Sequence, residues 1–571
     1  MSKSLNSSPR KSAAPDIQQA MALHRQGRLS DAERIYAAIL AVDPARSDAL
    51  HFLGLANYQQ GRMPEALRLM AAALKANPRS ADIHSNYGLA LDADKQPAEA
   101  LASFDRALAL EPDHVQALSN RGLTLAALGR TAEALASWDA ALAADPNHVE
   151  ALHGRGNALL KLKRPDAALT DYERVLALRP NIVDVLNNRG GALAELGRLD
   201  EAYESYERAS AIDPSLPEIL INKGHICADR HSFAEALSHY AMASALPTLR
   251  PEAEFAASLV RLRLGQFAQG WRDYEWRWQQ ASWVPQRRDF VVPLWLGQEP
   301  LRGRTILLHA EQGFGDTLQF ARYAKLVAGL GATVVLEVQA PLKPLLSSIE
   351  GIAQIFARGE SLPRFDLHCP LMSLPLAFGT SLDTIPADAP YVRAPADRVA
   401  QWQPRLGEPR SLRVGIVWAG SAVHKNNHNR SIPFDRFASL LSAPNIAFVS
   451  LQNELGAADT ATLGRHANVI SLGSELRDFA DTAAVVSLLD LVVSADTAVV
   501  HLAGALGKPV WVLLPFSPDF RWLLDREDSP WYPTARLFRQ PRFGDWDSVL
   551  ARVKEELESL SRAHGGTLSR R

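Results

Sequence analysis

Cysteine is almost missing from this chain: Cys227 and Cys369 are the two among 571 residues. They lie far apart and match no metal-ligand spacing, which argues against a disulfide framework or a cysteine-rich zinc module and fits a reducing compartment. The expected location is the cytoplasm. Net charge is nearly absent as well, with 61 Lys and Arg against 63 Asp and Glu for a formal charge of -2. No global field therefore favours nucleic acid or an anionic membrane. Long apolar runs are missing too. The most apolar region, Val485 to Val512, is interrupted by Asp490, Asp496, His501 and Lys508, so it reads as a folded core, not a membrane span. The opening residues, MSKSLNSSPRKSAAP, are basic and Ser-rich without the apolar stretch of a secretory signal, and residues 1–15 read as a disordered leader. With 47% apolar residues, the remaining chain has material for several cores.

A period of 34 residues dominates the first half. Pro44, Pro78, Pro112, Pro146, Pro180 and Pro214 recur at that interval, as do Gly54, Gly88, Gly122, Gly156, Gly190 and Gly224. Ala66, Ala100, Ala134, Ala168, Ala202 and Ala236 keep the same phase, each followed four residues later by a larger side chain: Met70, Phe104, Trp138, Tyr172, Tyr206 and Tyr240. These are the needs of stacked helix pairs, with small residues where helices cross closely, a large one to fill the space between repeats and Pro to end the second helix. The pattern resembles the tetratricopeptide repeat over residues 16–250. A less regular first copy carries Ala32, Tyr36 and Pro44, and an atypical last one runs through Phe267, Gly270, Trp271 and Tyr274. That resemblance implies an α-helical superhelix with a groove for a peptide or protein partner. Asn86, Asn120, Asn188 and Asn222 share one repeat position, two residues before the phased Gly. Their amides could bind an extended peptide backbone of any sequence, or could be ordinary structural residues of the repeat.

Residues 251–300 contain the last copy and a segment rich in aromatics and Arg, with Trp271, Tyr274, Trp276, Trp278, Trp283 and Trp295. Interleaved aromatics and Arg can bind single-stranded nucleic acid, but the neutral overall charge favours a packed seam. The period then changes. Thr305 to His309 reads as a strand, Gly313-Phe314-Gly315-Asp316 as a turn, Thr317 to about Leu330 as a helix and Thr333 to Val338 as the next strand. Gly313 and Gly315 are candidate donor-binding residues that let a substrate approach, and Asp316 beside them at a helix start is either a general base or a helix cap.

A second unit of the same kind begins at Arg413, with strands at Val414–Trp418, Phe448–Leu451, Val469–Leu472, Leu491–Ser494 and Val510–Leu514. Residues 301–400 and 410–571 are thus expected to form two strand-helix-strand domains facing across a cleft. In the second domain Asp496 and Thr497 follow an apolar strand, Thr497 is placed to cap a helix, and His501 shares its face; together they can meet a diphosphate, or form an ordinary capped crossover. In the polar loop HKNNHNRS, Lys425 and Arg430 could neutralise a diphosphate, and the Gln452 amide could pair with a base or a phosphate oxygen; each can equally be a solvated loop residue, with Arg430 the strongest candidate.

Taken together, LLHAEQGFGDTLQFARY, GIVWAGS, NRSIPF, SLQ, SADTAVVHLAGALGKPVWVLLP and SPWYPTARLFRQ make the chain similar to bacterial tetratricopeptide-fused glycosyltransferases of the GT-B fold. The catalytic half of that family is related to the heptosyltransferases, and some members are thought to modify flagellin. The resemblance implies an α-helical repeat array followed by an α/β GT-B pair of Rossmann-like domains. It further implies metal-independent transfer of a sugar from a nucleotide sugar, no cofactor, and a donor held mainly by residues 410–571. By motif, Asp316 matches the proposed base, and Asp496, Thr497 and His501 match the donor-site run. Arg430 falls where the family places a phosphate-facing Lys. Ala498 stands where the pattern has Gly, adding a methyl close to the diphosphate. Asp545-Trp546-Asp547 resembles a metal-holding triplet but precedes the final helix, and reads as a cap. The leading expectation is a protein glycosyltransferase whose repeats recruit the polypeptide. The alternatives are a glycan or lipid-linked acceptor, and a scaffold that senses a nucleotide sugar without turnover.

Overall fold

The computed structural model describes residues 16–407, 411–421 and 426–568, so the expected leader 1–15 and Lys425 lie outside the described residues. The chain divides into two compact units, Met1–Ser215 and Leu216–Arg571.

The first unit is a run of helix hairpins from Ile17–Arg25 to Leu199–Ile212. The second helix of each regular repeat ends two residues before the phased proline, as Val42 does before Pro44 and Ile212 before Pro214. The intervening residue leaves helical geometry, as Asp43 and Asp213 do in extended conformations, because Pro disfavours helical geometry in the residue that precedes it. Phased alanines Ala32, Ala66, Ala100, Ala134, Ala168 and Ala202 are fully buried. The large residue packs on the glycine of its own repeat: a Cβ on Gly88 would lie 2.7 Å from the Phe104 ring, and one on Gly156 2.7 Å from Tyr172. Trp138 is enclosed from two repeats, since a Cβ on Gly122 or Gly154 would stand 2.5 or 2.7 Å from its indole.

The second unit opens with hairpins Glu218–Asp229 with Phe233–Ser244 and Arg250–Arg263 with Phe267–Tyr274. Two parallel sheets follow. The first holds β1 (Thr305–His309), β2 (Thr333–Val338), β3 (Ile352–Ala357) and β4 (Leu367–Pro370) in the order β3-β2-β1-β4. The second holds β5 (Leu412–Val417), β6 (Ile446–Ser450), β7 (Val469–Ser471), β8 (Leu491–Ala495), β9 (Val510–Leu514) and β10 (Ala535–Arg539) in the order β10-β9-β8-β5-β6-β7. Strand direction is parallel throughout, and the buried Val, Ile and Leu of β1, β5, β8 and β9 are what two covered faces demand.

The aromatic segment supplies buried side chains to the core of the second unit. Trp271, Tyr274 and Trp295 are buried in a core that takes residues from both sheets, and Trp271 meets Phe320 and Phe520 edge-on at 6.1 and 5.6 Å. The helix expected over Thr317–Leu330 is instead two, Phe314–Phe320 and Tyr323–Gly329. The break is at buried Arg322, whose guanidinium donates to the carbonyls of Gln319, Pro386 and Trp531 at 2.8, 2.9 and 2.7 Å. Strands β3, β4 and β10 were not anticipated.

Candidate functional site

Each sheet reverses its winding at one place, between β1 and β4 in the first and between β5 and β8 in the second. Crevices beyond the carboxyl ends of strands at such points are where open α/β sheets take ligands. Asp316 lies beyond β1, while Asp496 and Thr497 lie directly beyond β8. The helices that follow, Phe314–Phe320 and Ala498–Ala505, pack on each other so closely that a Cβ on Gly315 would stand 2.7 Å from the His501 ring and 3.6 Å from Ala498 Cα. Gly315 thus serves close helix approach.

Asp316 is both cap and charge partner. Its Oδ2 accepts from the Gly313 N–H at 2.9 Å, and its Oδ1 accepts from the Arg521 guanidinium, which also holds Asp519 at 2.8 Å. Arg521 is buried. Burial disfavours its charge, but the surrounding Asp519, Asp316, Tyr274 and Asp496 outweigh that and hold the guanidinium firmly protonated. Asp496 is 9% exposed; burial, then the charge of Asp519, push its carboxyl up to about 6 against the pull of Arg430 and Arg521. The Thr497 hydroxyl accepts from the Val499 N–H at 3.3 Å as an N-cap should, and lies 3.1 Å from Ser494 Oγ.

His501 is fixed on two sides: Nδ1 is 3.0 Å from the Tyr532 hydroxyl, and the ring stacks on Trp522 at 5.7 Å. Burial and then the charges of Arg521, Arg322 and Arg430 push its pKa far down, so the ring is neutral. Arg430 donates to the Asp496 carbonyl at 3.1 Å and lies over Gly420, where a Cβ would come within 2.5 Å of its Nη2. Gln452 is committed to the backbone: Oε1 accepts from the N–H groups of Trp418 and Ala419 at 3.3 and 3.1 Å, shaping the end of β5.

Two groups escaped the sequence reading. Arg521 sits in the loop after β9, and its role rests on Asp316 205 residues away. Glu311 follows β1 by two residues and is buried; it accepts from Arg277 Nη2 and the Met372 N–H, both at 3.2 Å. Burial raises its carboxyl to about 7, opposed by Arg277 and reinforced by Glu275 and Asp316. Its place between a buried strand and the Gly313 turn was the one local signal.

Within the repeats, the Asn86 amide is 2.8 Å from His51 Nε2, Asn188 donates to Asn157 Oδ1 at 2.9 Å, and Asn120 accepts from Gln116 at 3.0 Å. These amides bind neighbouring side chains of the first unit, and Asn222 lies on the Glu218–Asp229 helix of the second.

The tetratricopeptide repeat profile matches residues 17–81, 64–113, 88–149 and 153–217. The curated protein FlbA of Caulobacter vibrioides is 27% identical over 331 residues, 54% of this chain and 55% of FlbA, so the chain spans about half the length of that relative. Among solved structures, PilF of Pseudomonas aeruginosa aligns with 23% identity and a TM-score of 0.32, over 34% of this chain and 89% of that one. YrrB, described as a tetratricopeptide protein with an unusual peptide-binding site, aligns with 26% identity and a TM-score of 0.29, over 30% and 90%. No described helix is long and apolar enough to cross a membrane. Residues 17–217 are tetratricopeptide repeats, a module suited to scaffolding protein interactions, joined to a region of parallel sheets.

Proposed function

We propose that the parallel-sheet region is a glycosyltransferase of the GT-B kind, transferring a sugar from a nucleotide sugar to a polypeptide recruited by the repeats. The observation that carries the reading is the juxtaposition of the two sheets' switch points, with a carboxylate from one meeting Arg521 and the Thr497-capped helix of the other. In this scheme Asp316 accepts the proton of a Ser or Thr hydroxyl, whose oxygen bonds to the anomeric carbon as the bond to the diphosphate breaks. The nucleoside diphosphate leaves with the electron pair. Arg430 and the Thr497 helix start stabilise its growing charge, and Arg521 exchanges part of its contact with Asp316 for the phosphate. Neutral His501 maintains the approach of the two helices.

The test is incubation of the purified chain with a panel of nucleotide sugars and polypeptide and glycan acceptors, read by mass spectrometry, alongside melting with the free nucleotides. One nucleotide class should raise the melting temperature and support transfer to polypeptide. Asp316→Asn should abolish transfer while keeping the nucleotide shift. Loss of both would make Asp316 structural; a shift without turnover by the native chain would leave a sensing scaffold; transfer to glycan alone would relocate the acceptor.

A further inference from the structure

The second unit carries a cluster that the proposed transfer reaction does not use. Cys227 on Glu218–Asp229 faces Glu235 and His239, one turn apart on Phe233–Ser244. Their ligand atoms, one thiol sulfur, one carboxylate oxygen and one ring nitrogen, all lie within 4.8 Å of one another. Glu235 Oε1 is 3.8 Å from His239 Nε2. We propose that Cys227, Glu235 and His239 form a binding site for a borderline-soft divalent cation of the zinc type, clamping this helix hairpin.

The other repeats sharpen the case. Cys227 occupies the position held by Asn57, Leu91, Leu125, Leu159 and Leu193 at the 34-residue period, a buried position that is Leu in four of these five repeats. His239 occupies that of Leu69, Ser103, Ser137, Asp171 and Ser205. Glu235 is ordinary, its counterparts being Glu65, Glu99, Glu133 and Glu201, with Ala167 the one exception among these repeats. Only this hairpin pairs Cys with His at those positions, and there the Glu comes within reach of both. A thiolate, an imidazole and a carboxylate are zinc donors, and here one of each converges within 4.8 Å. Cys227 is fully buried, and burial followed by the charge of Glu235 pushes its thiol up to about 12. The cation binds the sulfur as the thiol proton leaves to solvent. Three protein ligands leave a fourth position for water, so the site is open, unlike a closed structural zinc.

The full-length chain, stripped with a chelator, is titrated with Co²⁺ and then Zn²⁺. Expected are one equivalent bound, a thiolate-to-cobalt charge-transfer band, tetrahedral visible absorption and loss of both on adding Zn²⁺. Cys227→Ser should abolish the charge-transfer band, whereas Cys369→Ser should keep it. Glu235→Gln alters a half-exposed side chain; with the melting temperature of the metal-free chain measured alongside, it should weaken Zn²⁺ at least about ten-fold in competition with a chromophoric chelator. No charge-transfer band in the native chain, a band that survives Cys227→Ser, or unchanged affinity in Glu235→Gln would each overturn the site.

Discussion

Asp496 offers the sharpest test of how the second sheet is built, because its carboxyl is held against its own ionisation. Its pKa is raised from the ordinary 3.8 to about 6, chiefly by burial and next by Asp519. A folded pKa above the unfolded one means that the folded state holds the proton more tightly. Stability is then fully present below about pH 4 and is lost as pH rises through about 6. The difference of about two pKa units corresponds to ~3 kcal/mol lost by neutral pH. Asn at this position has a similar shape and no titration. The gap in stability between Asp496→Asn and the native chain should therefore widen by about 2 kcal/mol from pH 4.5 to 7.5, in favour of the variant. At roughly 2 °C per kcal/mol for a unit of this size, that is ~4 °C in melting temperature. Tryptophan fluorescence reads the right unit, since Trp138 is the one tryptophan before Leu216. A gap that stays flat or narrows as pH rises would refute the reasoning and return Asp496 to an ordinary solvated carboxylate.

On the proposed donor site, a diphosphate beside Asp496 must raise that carboxyl further, so nucleotide binding should take up a proton near pH 6.5 and weaken as pH rises. Calorimetry in buffers of different ionisation heat checks this, and Asp496→Asn should remove the uptake. In the repeats, Gly122→Ala places a methyl against an indole already confined by Gly154, an overpacking cost of about 1–3 kcal/mol partly offset by ~1 kcal/mol of helix propensity. The helical transition of the first unit should shift down in urea, read by far-UV circular dichroism; an upward shift would show that Trp138 can move. Combining His231→Ala with Ser517→Ala frees the Phe516–Trp522 loop from its helical supports and should weaken nucleotide binding while the bulk helix signal is kept. Unchanged binding would show that the loop holds itself.

The helices were legible because a 34-residue period writes the same packing requirement several times over. Pro44 alone says little, whereas six prolines in phase with six glycines specify where each hairpin crosses and ends. Strands β1, β2, β5, β8 and β9 were legible as short apolar runs between turns. Strand β4 was not, because His368 and Cys369 between prolines carry no alternation and pair with β1 from about 60 residues away. At the site, Asp316, Asp496, Thr497 and His501 could be named because each follows a readable strand or starts a readable helix. Arg521 and Tyr532 could not, since their meaning comes from Asp316 and His501 across long stretches of chain. Gln452 shows the converse: a residue rightly placed at a strand end whose amide oxygen is spent on the backbone beside it.

The loop after β9 makes the site depend on helices that the repeat period alone would assign elsewhere. Ser517 donates to Asp229 Oδ1 at 2.8 Å and accepts from Arg263 Nη1 at 3.0 Å, and His231 stacks on Phe516 at 4.3 Å while meeting its carbonyl at 3.1 Å. Arg263 is partly buried, and desolvation disfavours its charge despite Asp229 and Asp519. Losing the Ser517 hydroxyl would take an acceptor from the Arg263 guanidinium in this partly desolvated setting, which costs more than losing a fully exposed contact. Four residues beyond Ser517, Arg521 meets Asp316. The hairpins Glu218–Ser244 and Arg250–Tyr274 therefore continue the repeat in sequence but act in packing as walls of the parallel-sheet unit. That is why the compact units divide at Ser215, inside the periodic array, and not where the periodicity stops.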